Sequence, residues 1–428
     1  MKIAFVYPPQ MYLVRPTQQR GLGLLALATY AKHLGAAVYV LDLTVVGARP
    51  YFTEDQLCIL EECSAVFITG CALDIPSVNG VIHEIRHDVL SRVPYIAVGG
   101  PIAYSPIGKI AADCVVAGPG EDFVQDVIAG SRPYGRLDYS LRSLALGSID
   151  AYPFPDRSLL PSKERGIFHE RAGLDANIRS TTLTTTRGCA GHCAFCVSGS
   201  SGEGMVSRGI DSVRAELDHI VSLGIAAVRV SDENVTCNKA RLYAICTLMK
   251  ERGLLWRCSS RTNPNSTEMY SRMRASGCVE VSIGVETADQ HVLDLLRKRQ
   301  TVAIAGRAVD NAVSSGISSV RALMMAATPG EVPNTQTLNM AWAADHPAAT
   351  VCLTGFVPFP GTAIYRHPDA YGCRLYFDGD MNLWSVRGDA SLPEARISII
   401  GGMTREELTE SWRNQIAYLD SRGQLNHG

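Results

Sequence analysis

The sequence predicts an α/β chain built from two parallel-sheet units, and three observations carry that expectation. Short runs of Val, Ile, Ala and Phe are apolar nearly throughout, segments of helical periodicity separate them, and residues 131–180, with Pro133, Pro153, Pro155 and Pro161, interrupt the alternation once. Near-continuous apolar strands belong to sheets covered on both faces, which βαβ units produce.

In the first 130 residues, "KIAFVY", "AVYVLDL", "SAVFITG", "PYIAVGG" and "DCVVAG" read as strands, and "GLGLLALATYAKHLG", "DIPSVNGVIHEIRHDVL" and "EDFVQDVIAG" as helices. This pattern is a doubly wound, Rossmann-like domain, expected over residues 1–135. Such sheets bind ligands beyond the carboxyl ends of their strands. Here those ends carry "YPP", "TGC", "GGP" and "AGPGE", small residues that let a bulky ligand approach the backbone. Residues 136–178, polar and weakly periodic, read as a linker.

The second unit is expected over 179–365. Its strands read as "TTLTTT", "AAVRVSD", "LLWRCSS", "CVEVSIGVE", "SSVRALMMAA" and "TVCLTGFVPF", with helices such as "DSVRAELDHIVSLG", "NKARLYAICTLMKERG" and "TVAIAGRAVDNAVSSG" between them. Six βα repeats predict an open or complete barrel. Residues 366–428 form a C-terminal region ending in a helix, where Thr404 and Glu407 have capping-box spacing.

Composition narrows the function classes. The chain has 428 residues, is 46% apolar and 19% charged, and carries a formal net charge of −2 without a Lys/Arg block. Nothing here favours nucleic acid or an anionic membrane as partner, so a small molecule is the expected one. No apolar run is long enough to span a bilayer, and "MKIAFVYPPQ" lacks the apolar core of a signal peptide, which predicts a cytoplasmic location. Thirteen cysteines in such a chain are expected to stay reduced. Cys58, Cys63, Cys71, Cys114, Cys246, Cys278 and Cys352 lie in or beside apolar segments, where a free thiol packs as a small hydrophobe.

Three cysteines stand apart by clustering: "RGCAGHCAFCVSG" places Cys189, Cys193 and Cys196 within eight positions, directly after the threonine run. A structural zinc site wants four ligands, and His192 is badly placed to join its neighbour Cys193 on one metal. A four-iron cluster held by three thiolates leaves one iron without a protein ligand. That open iron is a place for chemistry.

The C-x-x-x-C-x-Φ-C pattern, with Phe195 before Cys196, resembles the radical S-adenosylmethionine enzymes. The resemblance implies a partial (βα)6, TIM-type barrel with Cys189, Cys193 and Cys196 holding a 4Fe–4S cluster whose free iron chelates S-adenosylmethionine, and an electron from the cluster cleaving the sulfonium to a deoxyadenosyl radical. It also implies a low-potential reductant such as flavodoxin or ferredoxin. By the same resemblance, Asp232 or Glu233 in "VSDENVT" would bind the methionine ammonium, Arg261 in "CSSRTNP" the carboxylate, and Glu286 in "SIGVET" the nucleoside.

"ATPGE" (328–331 with Ala327) and "PFPGTAIY" (358–365) are similar to signatures of the members that carry an N-terminal cobalamin-binding domain, and "GLGLLALATYAKHLG", "VGGP" and "AGPGE" match that domain in order. The implied cobalamin contacts are Tyr7, Gly70 and Cys71, then Gly99, Gly100 and Pro101, then Gly118, Gly120 and Glu121. The D-x-H-x-x-G motif that places a histidine under cobalt elsewhere is absent, as in many members of this subclass, and for Cys71 and Asp74 a packed thiol and a solvated acid are the stronger readings. Tyr376, Asp378 and Trp384 are candidates for closing the site.

The implied function is a methyltransferase acting on an unactivated carbon, less often phosphorus, of a small-molecule metabolite. A cobalamin-dependent cyclase or ring-rearranging enzyme would share every motif quoted. A tRNA methylthiotransferase ranks lower, since the first strand ends without a cysteine and residues 391–428 hold four Arg against five Asp/Glu. A non-catalytic cobalamin sensor is disfavoured by the intact cysteine trio.

Overall fold

The computed structural model describes residues 1–10, 21–44, 46, 49–88, 93–104, 109–139, 149–160, 178–200, 204–376 and 394–426. The chain divides into two compact units, Met1–Arg165 and Gly166–Gly428.

The first unit is a six-stranded sheet of β1 Lys2–Tyr7, β2 Ala37–Asp42, β3 Ala65–Thr69, β4 Tyr95–Gly99, β5 Cys114–Ala117 and β6 Gly135–Asp138, in the order β2-β1-β3-β4-β5-β6. Every pairing is parallel. Helices α1 Leu22–His33, α2 Glu54–Glu62, α3 Ile75–Asp88 and α4 Glu121–Ile128 connect the strands. The order reverses between β1 and β3, the point at which doubly wound sheets open a crevice at their carboxyl ends. One face is locked by a chain of tilted and edge-on rings, Phe5 to Phe67 at 5.3 Å, Phe67 to Phe123 at 5.7 Å and Phe123 to Tyr139 at 5.8 Å.

Part of the expected linker belongs to this unit. β6 pairs in register with β5, the Asp156 N–H donates to Thr29 Oγ1 at 2.8 Å, and the Asp156 carboxylate pairs with Lys32 at 3.1 Å. "GRLD" is too short and polar to show a period, which is why it did not read as a strand. Helix α2 was hidden for a similar reason: its nine residues are mostly polar, and it is announced by the Thr53–Gln56 capping box rather than by an apolar stripe.

The second unit holds a six-stranded parallel sheet and two hairpins. Its strands are β7 Ser180–Leu183, β10 Ala227–Val230, β11 Leu255–Ser260, β12 Cys278–Glu286, β13 Ser319–Ala326 and β14 Thr350–Gly355, in the order β14-β13-β12-β11-β10-β7. Sequential parallel neighbours joined by helices make the six βα repeats read from the sequence. A short hairpin, β8 Thr186–Gly188 with β9 Met205–Ser207, follows β7, and a second, β15 Cys373–Leu375 with β16 Ile397–Ile399, precedes the last helix, Arg405–Ser421. That helix carries the expected Thr404–Glu407 capping box. The edge strand β14 is covered by the C-terminal segment, since the Val351 N–H donates to the Gln424 carbonyl at 2.8 Å.

Strand alternation sorts the sheet into two faces. Val281, Ile283 and Val285 of β12 join Val228, Trp256, Ala322 and Val351 in one core cluster with the covering helices. The opposite face is polar. There Glu280, 1% exposed, takes Arg257 at 2.8 Å from β11 and Arg321 at 3.3 Å from β13, tying three adjacent strands through one carboxylate.

A buried carboxylate between two guanidiniums is costly to break, because the partners left behind stay charged and desolvated. E280Q is expected to lower the thermal midpoint sharply, equivalent to about 3 to 5 kcal/mol. E268Q, which cuts the exposed Lys239–Glu268 pair, should leave it nearly unchanged.

Candidate cluster site

The cysteine trio sits between the two strands of the hairpin β8/β9, at the carboxyl end of β7. Arginines fix where β7 stops: Arg208 Nη1 donates to the Thr184 carbonyl at 2.9 Å and Arg241 Nη2 to the Thr185 carbonyl at 2.9 Å. Asp232, at the end of β10 and 2% exposed, completes the anchor. Its carboxylate accepts from the Thr185 N–H at 2.6 Å, the Thr185 hydroxyl at 2.5 Å and the Thr186 N–H at 3.1 Å. Buried anions are tolerated where several donors converge on them.

The loop then closes on itself. A Cβ at Gly199 would lie 2.9 Å from the Cys193 nitrogen, so only glycine lets the helical turn Val197–Ser200 pass so close. The Ala194 N–H donates to the Leu296 carbonyl at 2.9 Å, and its own carbonyl accepts from Ile364 at 3.3 Å. Cys193 is buried, while Cys189 and Cys196 are partly exposed.

Donors point at the sulfurs. The Gly191 N–H reaches Cys189 Sγ at 3.3 Å and Arg261 Nη1 reaches Cys193 Sγ at 3.1 Å. Burial pushes the Cys196 thiol up; the N–H groups of Gly199 and Ser198 oppose that, and Cys193 and Cys189 are near enough to add to it. Among the described residues no three His, Cys, Asp or Glu side chains could share a single metal ion. A cubane cluster asks for something different, one thiolate per iron, and three converging thiols with N–H donors at sulfur fit that group.

Charged side chains gather beside Cys193. Arg261 Nη2 donates to the Lys298 carbonyl, the buried Lys298 ammonium pairs with Glu286, and Lys298 Nζ stands 5.8 Å from the centre of the Phe195 ring. Gln300 pins this segment to the sheet, donating to the Val285 carbonyl at 2.9 Å and accepting from the Thr262 hydroxyl at 2.8 Å. Lys298 and Gln300 were not singled out in the sequence. The signal was the basic run "RKRQ" at 297–300, soon after "GVET" at 284–287.

Of the residues expected at this site, the structure brings together Cys189, Cys193, Cys196, Phe195, Arg261 and Glu286, and uses Asp232 as an anchor. Glu233 is exposed, accepts from the Ser198 hydroxyl at 3.3 Å, and has its pKa raised by partial desolvation. A fourth thiol, Cys237, also comes near: burial raises its pKa first, and the proximity of Asp232 and Cys189 adds to it. No spacing rule could have found it, because Cys237 lies forty-odd residues along the chain from the trio.

In the first unit the expected contacts line adjacent strand ends. The Tyr7 hydroxyl donates to the Gly21 carbonyl at 3.0 Å, and the Cys71 N–H donates to Asp74 Oδ2 at 2.7 Å. Gly100 has φ 88°, and a Cβ there would lie 2.8 Å from Thr69 Oγ1, so the β3 and β4 ends interlock through it. Gly70 and Gly99 share that turn, the Gly70 N–H donating to the Gly99 carbonyl at 3.3 Å, while Pro101 opens the 3-10 turn Pro101–Tyr104. Gly118 has φ 88°, Gly120 caps α4, and Glu121 is its buried first residue. Small residues at three neighbouring strand ends, with Tyr7 at a fourth, fit a broad, flat ligand such as a corrin. His33, His83 and His87, the unit's histidines, all lie on α1 and α3 rather than at those ends.

The motif "ATPGE" ends β13 and forms a tight turn. Glu331 Oε1 accepts from the Thr328 N–H at 2.8 Å and its hydroxyl at 3.0 Å, and the residue borders a cavity of about 590 Å³ that also reaches His291, Tyr371 and Met403. Tyr376 lies under Arg405 at 5.1 Å; Asp378 and Trp384 fall outside the described residues.

Residues 183–339 match the family profile described as Radical SAM superfamily. An uncharacterised methyltransferase of Pyrococcus horikoshii is 25% identical over 400 residues, covering 86% of this chain and 83% of its own. An anaerobic magnesium-protoporphyrin IX monomethyl ester cyclase of Cereibacter sphaeroides is 26% identical over 198 residues, 44% of this chain and 32% of its own. Among solved structures, the radical S-adenosylmethionine methyltransferase TsrM of Kitasatospora setae, with cobalamin and a [4Fe–4S] cluster bound, covers 99% of this chain and 90% of its own with a TM-score of 0.69 at 17% identity. At that identity the likeness is one of fold. No described helix is long and apolar enough to cross a membrane.

Two outcomes follow from these anchors. D232N removes the charge that three donors share, so iron stoichiometry after reconstitution should fall and the protein should lose about 1.5 to 3 kcal/mol, whereas E233Q should keep its iron. Wild-type iron content in D232N would show the anchor to be dispensable. Glu331 is a different case, its pKa pushed up to about 7 by burial against an ordinary 4.5. The folded state then holds a proton that the unfolded state releases between about pH 4.5 and 7, so this group's contribution declines as pH rises through that window, by roughly 3 kcal/mol in all. Thermal midpoints of wild type and E331Q should therefore diverge in favour of E331Q between pH 5 and 8.

Proposed function

Starting from a chain that carries a radical S-adenosylmethionine domain, we propose that it is a cobalamin-dependent methyltransferase acting on an unactivated carbon of a small-molecule metabolite. The observation that carries this reading is a pairing within one chain. A three-thiol loop with N–H donors at its sulfurs follows the first barrel strand, and a doubly wound unit with small residues at its carboxyl ends precedes it. When bound, the cluster and S-adenosylmethionine would supply radical chemistry and cobalamin a transferable methyl group, a combination that polar attack on an inert carbon does not offer.

The chain's own residues have four tasks in this reading. Cys189, Cys193 and Cys196 hold three irons and leave the fourth open. Glu233, exposed beside the cysteine loop and accepting only the Ser198 hydroxyl among the described side chains, takes the cofactor ammonium, since Asp232 is spent on Thr185 and Thr186. Phe195 and the Glu286–Lys298 pair border the nucleoside. In the first unit, Tyr7, Cys71, Gly99, Gly118 and their neighbours keep the strand ends low enough for the corrin. A reductant of the flavodoxin or ferredoxin class supplies the electron.

The second reading is a cyclase that uses the same cofactors, favoured by the Cereibacter relative. The two differ in what they consume. A methyltransferase given methyl-labelled S-adenosylmethionine under anaerobic, reducing conditions should deliver the label to product and form S-adenosylhomocysteine and 5′-deoxyadenosine in comparable amounts. Unlabelled product with 5′-deoxyadenosine alone would establish the cyclase.

A further inference from the structure

We propose that Arg261 sets the reduction potential of the iron–sulfur cluster, and that Gly191 and the Lys298 carbonyl exist in this fold to aim it. The inference rests on the cluster reading of Cys189, Cys193 and Cys196. It assigns Arg261 to cluster sulfur, where the resemblance assigned it to the carboxylate of S-adenosylmethionine.

Three observations converge on the guanidinium. Its Nη1 donates to Cys193 Sγ at 3.1 Å, and Cys193 is the most buried thiol of the trio, 5% exposed. Its Nη2 is held by the Lys298 carbonyl, in a segment where Arg297 and Arg299 take φ 55° and 54°. That backbone costs energy for side-chain-bearing residues, and it turns the intervening carbonyl toward Arg261. Finally, a Cβ at Gly191 would lie 2.8 Å from Arg261 Nη1 and 3.3 Å from Cys189 Sγ, so a side chain there would push the guanidinium off this position.

The chemistry follows from charge. A cluster gains one negative charge on reduction, and no bond forms or breaks. A guanidinium donating to a ligand sulfur favours the reduced state, and burial makes that effect larger than it would be in water. Lys298 adds little net charge because its ammonium is neutralised by Glu286. Arg261 is therefore the uncompensated cation donating to a cluster thiol among the described residues. It is a positioning and tuning residue, and its signature is a potential rather than a rate.

The test uses the full chain, anaerobically reconstituted, with no S-adenosylmethionine present, titrated with dithionite and read by the EPR signal of the reduced cluster. R261M should lower the equilibrium constant for one-electron reduction at least tenfold, a shift of about 59 mV for a one-electron couple. R261K, which keeps the charge and loses the fork, should shift less. G191A keeps Arg261 and displaces its guanidinium, so it should move the midpoint in the same direction as R261M. If R261M retains iron with a wild-type midpoint and only binds S-adenosylmethionine more weakly, Arg261 serves the carboxylate and the proposal is wrong. Should R261M lose its iron, wild-type midpoints in both R261K and G191A overturn the proposal equally. A wild-type chain with no [4Fe–4S] signal would overturn the functional reading as well, so the two failures are separable.

Discussion

The second unit depends on the carboxylate of Asp232. It is buried at the end of β10, yet all of its bonding is spent on the neighbouring strand end, at the Thr185 N–H and hydroxyl and the Thr186 N–H. Those residues are where β7 turns into the hairpin that carries the cysteines. Without the anion, the two N–H groups at this turn would be buried donors lacking partners, and the hairpin would lose its fixed departure from the sheet. The threonine-rich composition of the stretch thus has a local cause. Thr185, fully buried, can satisfy both its backbone and its side chain on one carboxylate.

On its other side the cysteine loop is held by the segment after β12. The Ala194 N–H bonds to Leu296, Arg261 spans from Cys193 to Lys298, and Gln300 fixes that segment to the Gly284 and Val285 carbonyls. The loop is consequently tied to opposite parts of the sheet by hydrogen bonds, with Ala194 and Phe195 packed into an apolar cluster around Val292, Leu296 and Ile364, and its sulfurs stay at the carboxyl ends of the strands. Polar anchoring is directional, and a ligand set that must meet a rigid inorganic cluster needs direction more than it needs burial.

How much of this was legible in the sequence follows from range. The strands of the barrel were readable, and "CVEVSIGVE" matches β12 residue for residue, because apolar side chains recur where helices cover the sheet. The cysteine trio was readable because its spacing is local. β6 and α2 were not, being short and polar, and neither were Lys298, Gln300 or Cys237, whose roles come from contacts outside the reach of any local spacing pattern. The sequence offers Asp232 or Glu233 for a ligand ammonium, and the structure shows the Asp232 carboxylate engaged by Thr185 and Thr186. A carboxylate at a strand end looks the same in sequence whether it faces a ligand ammonium or a neighbouring backbone, and only the three short contacts from Thr185 and Thr186 distinguish the two.

Strain is concentrated where these ties meet. Among the described residues, the side-chain-bearing positions with left-handed backbone are Glu286 at φ 70°, Arg297 at 55°, Arg299 at 54° and Ala327 at 56°. All four lie at the ends of β12 and β13 or in the segment that runs past Cys193. Each costs about 1 to 2 kcal/mol relative to ordinary backbone. The compensation is visible beside each: the Glu286 carboxylate meets Lys298, the carbonyl between Arg297 and Arg299 receives Arg261, and Thr328, next to Ala327, receives a buried carboxylate from Glu331. Hydrogen bonds to charged groups contribute about 1.5 to 3 kcal/mol each, enough to hold such a backbone in place at Glu286 and Lys298, while the Glu331 carboxyl, its pKa pushed up to about 7 by burial, is charged only above that pH. The same ion-dipole contacts that position the site therefore stabilise the conformations that the site requires. Removing one of them releases strain along with the contact, so its energetic effect on stability should be smaller than its effect on the geometry around Cys193.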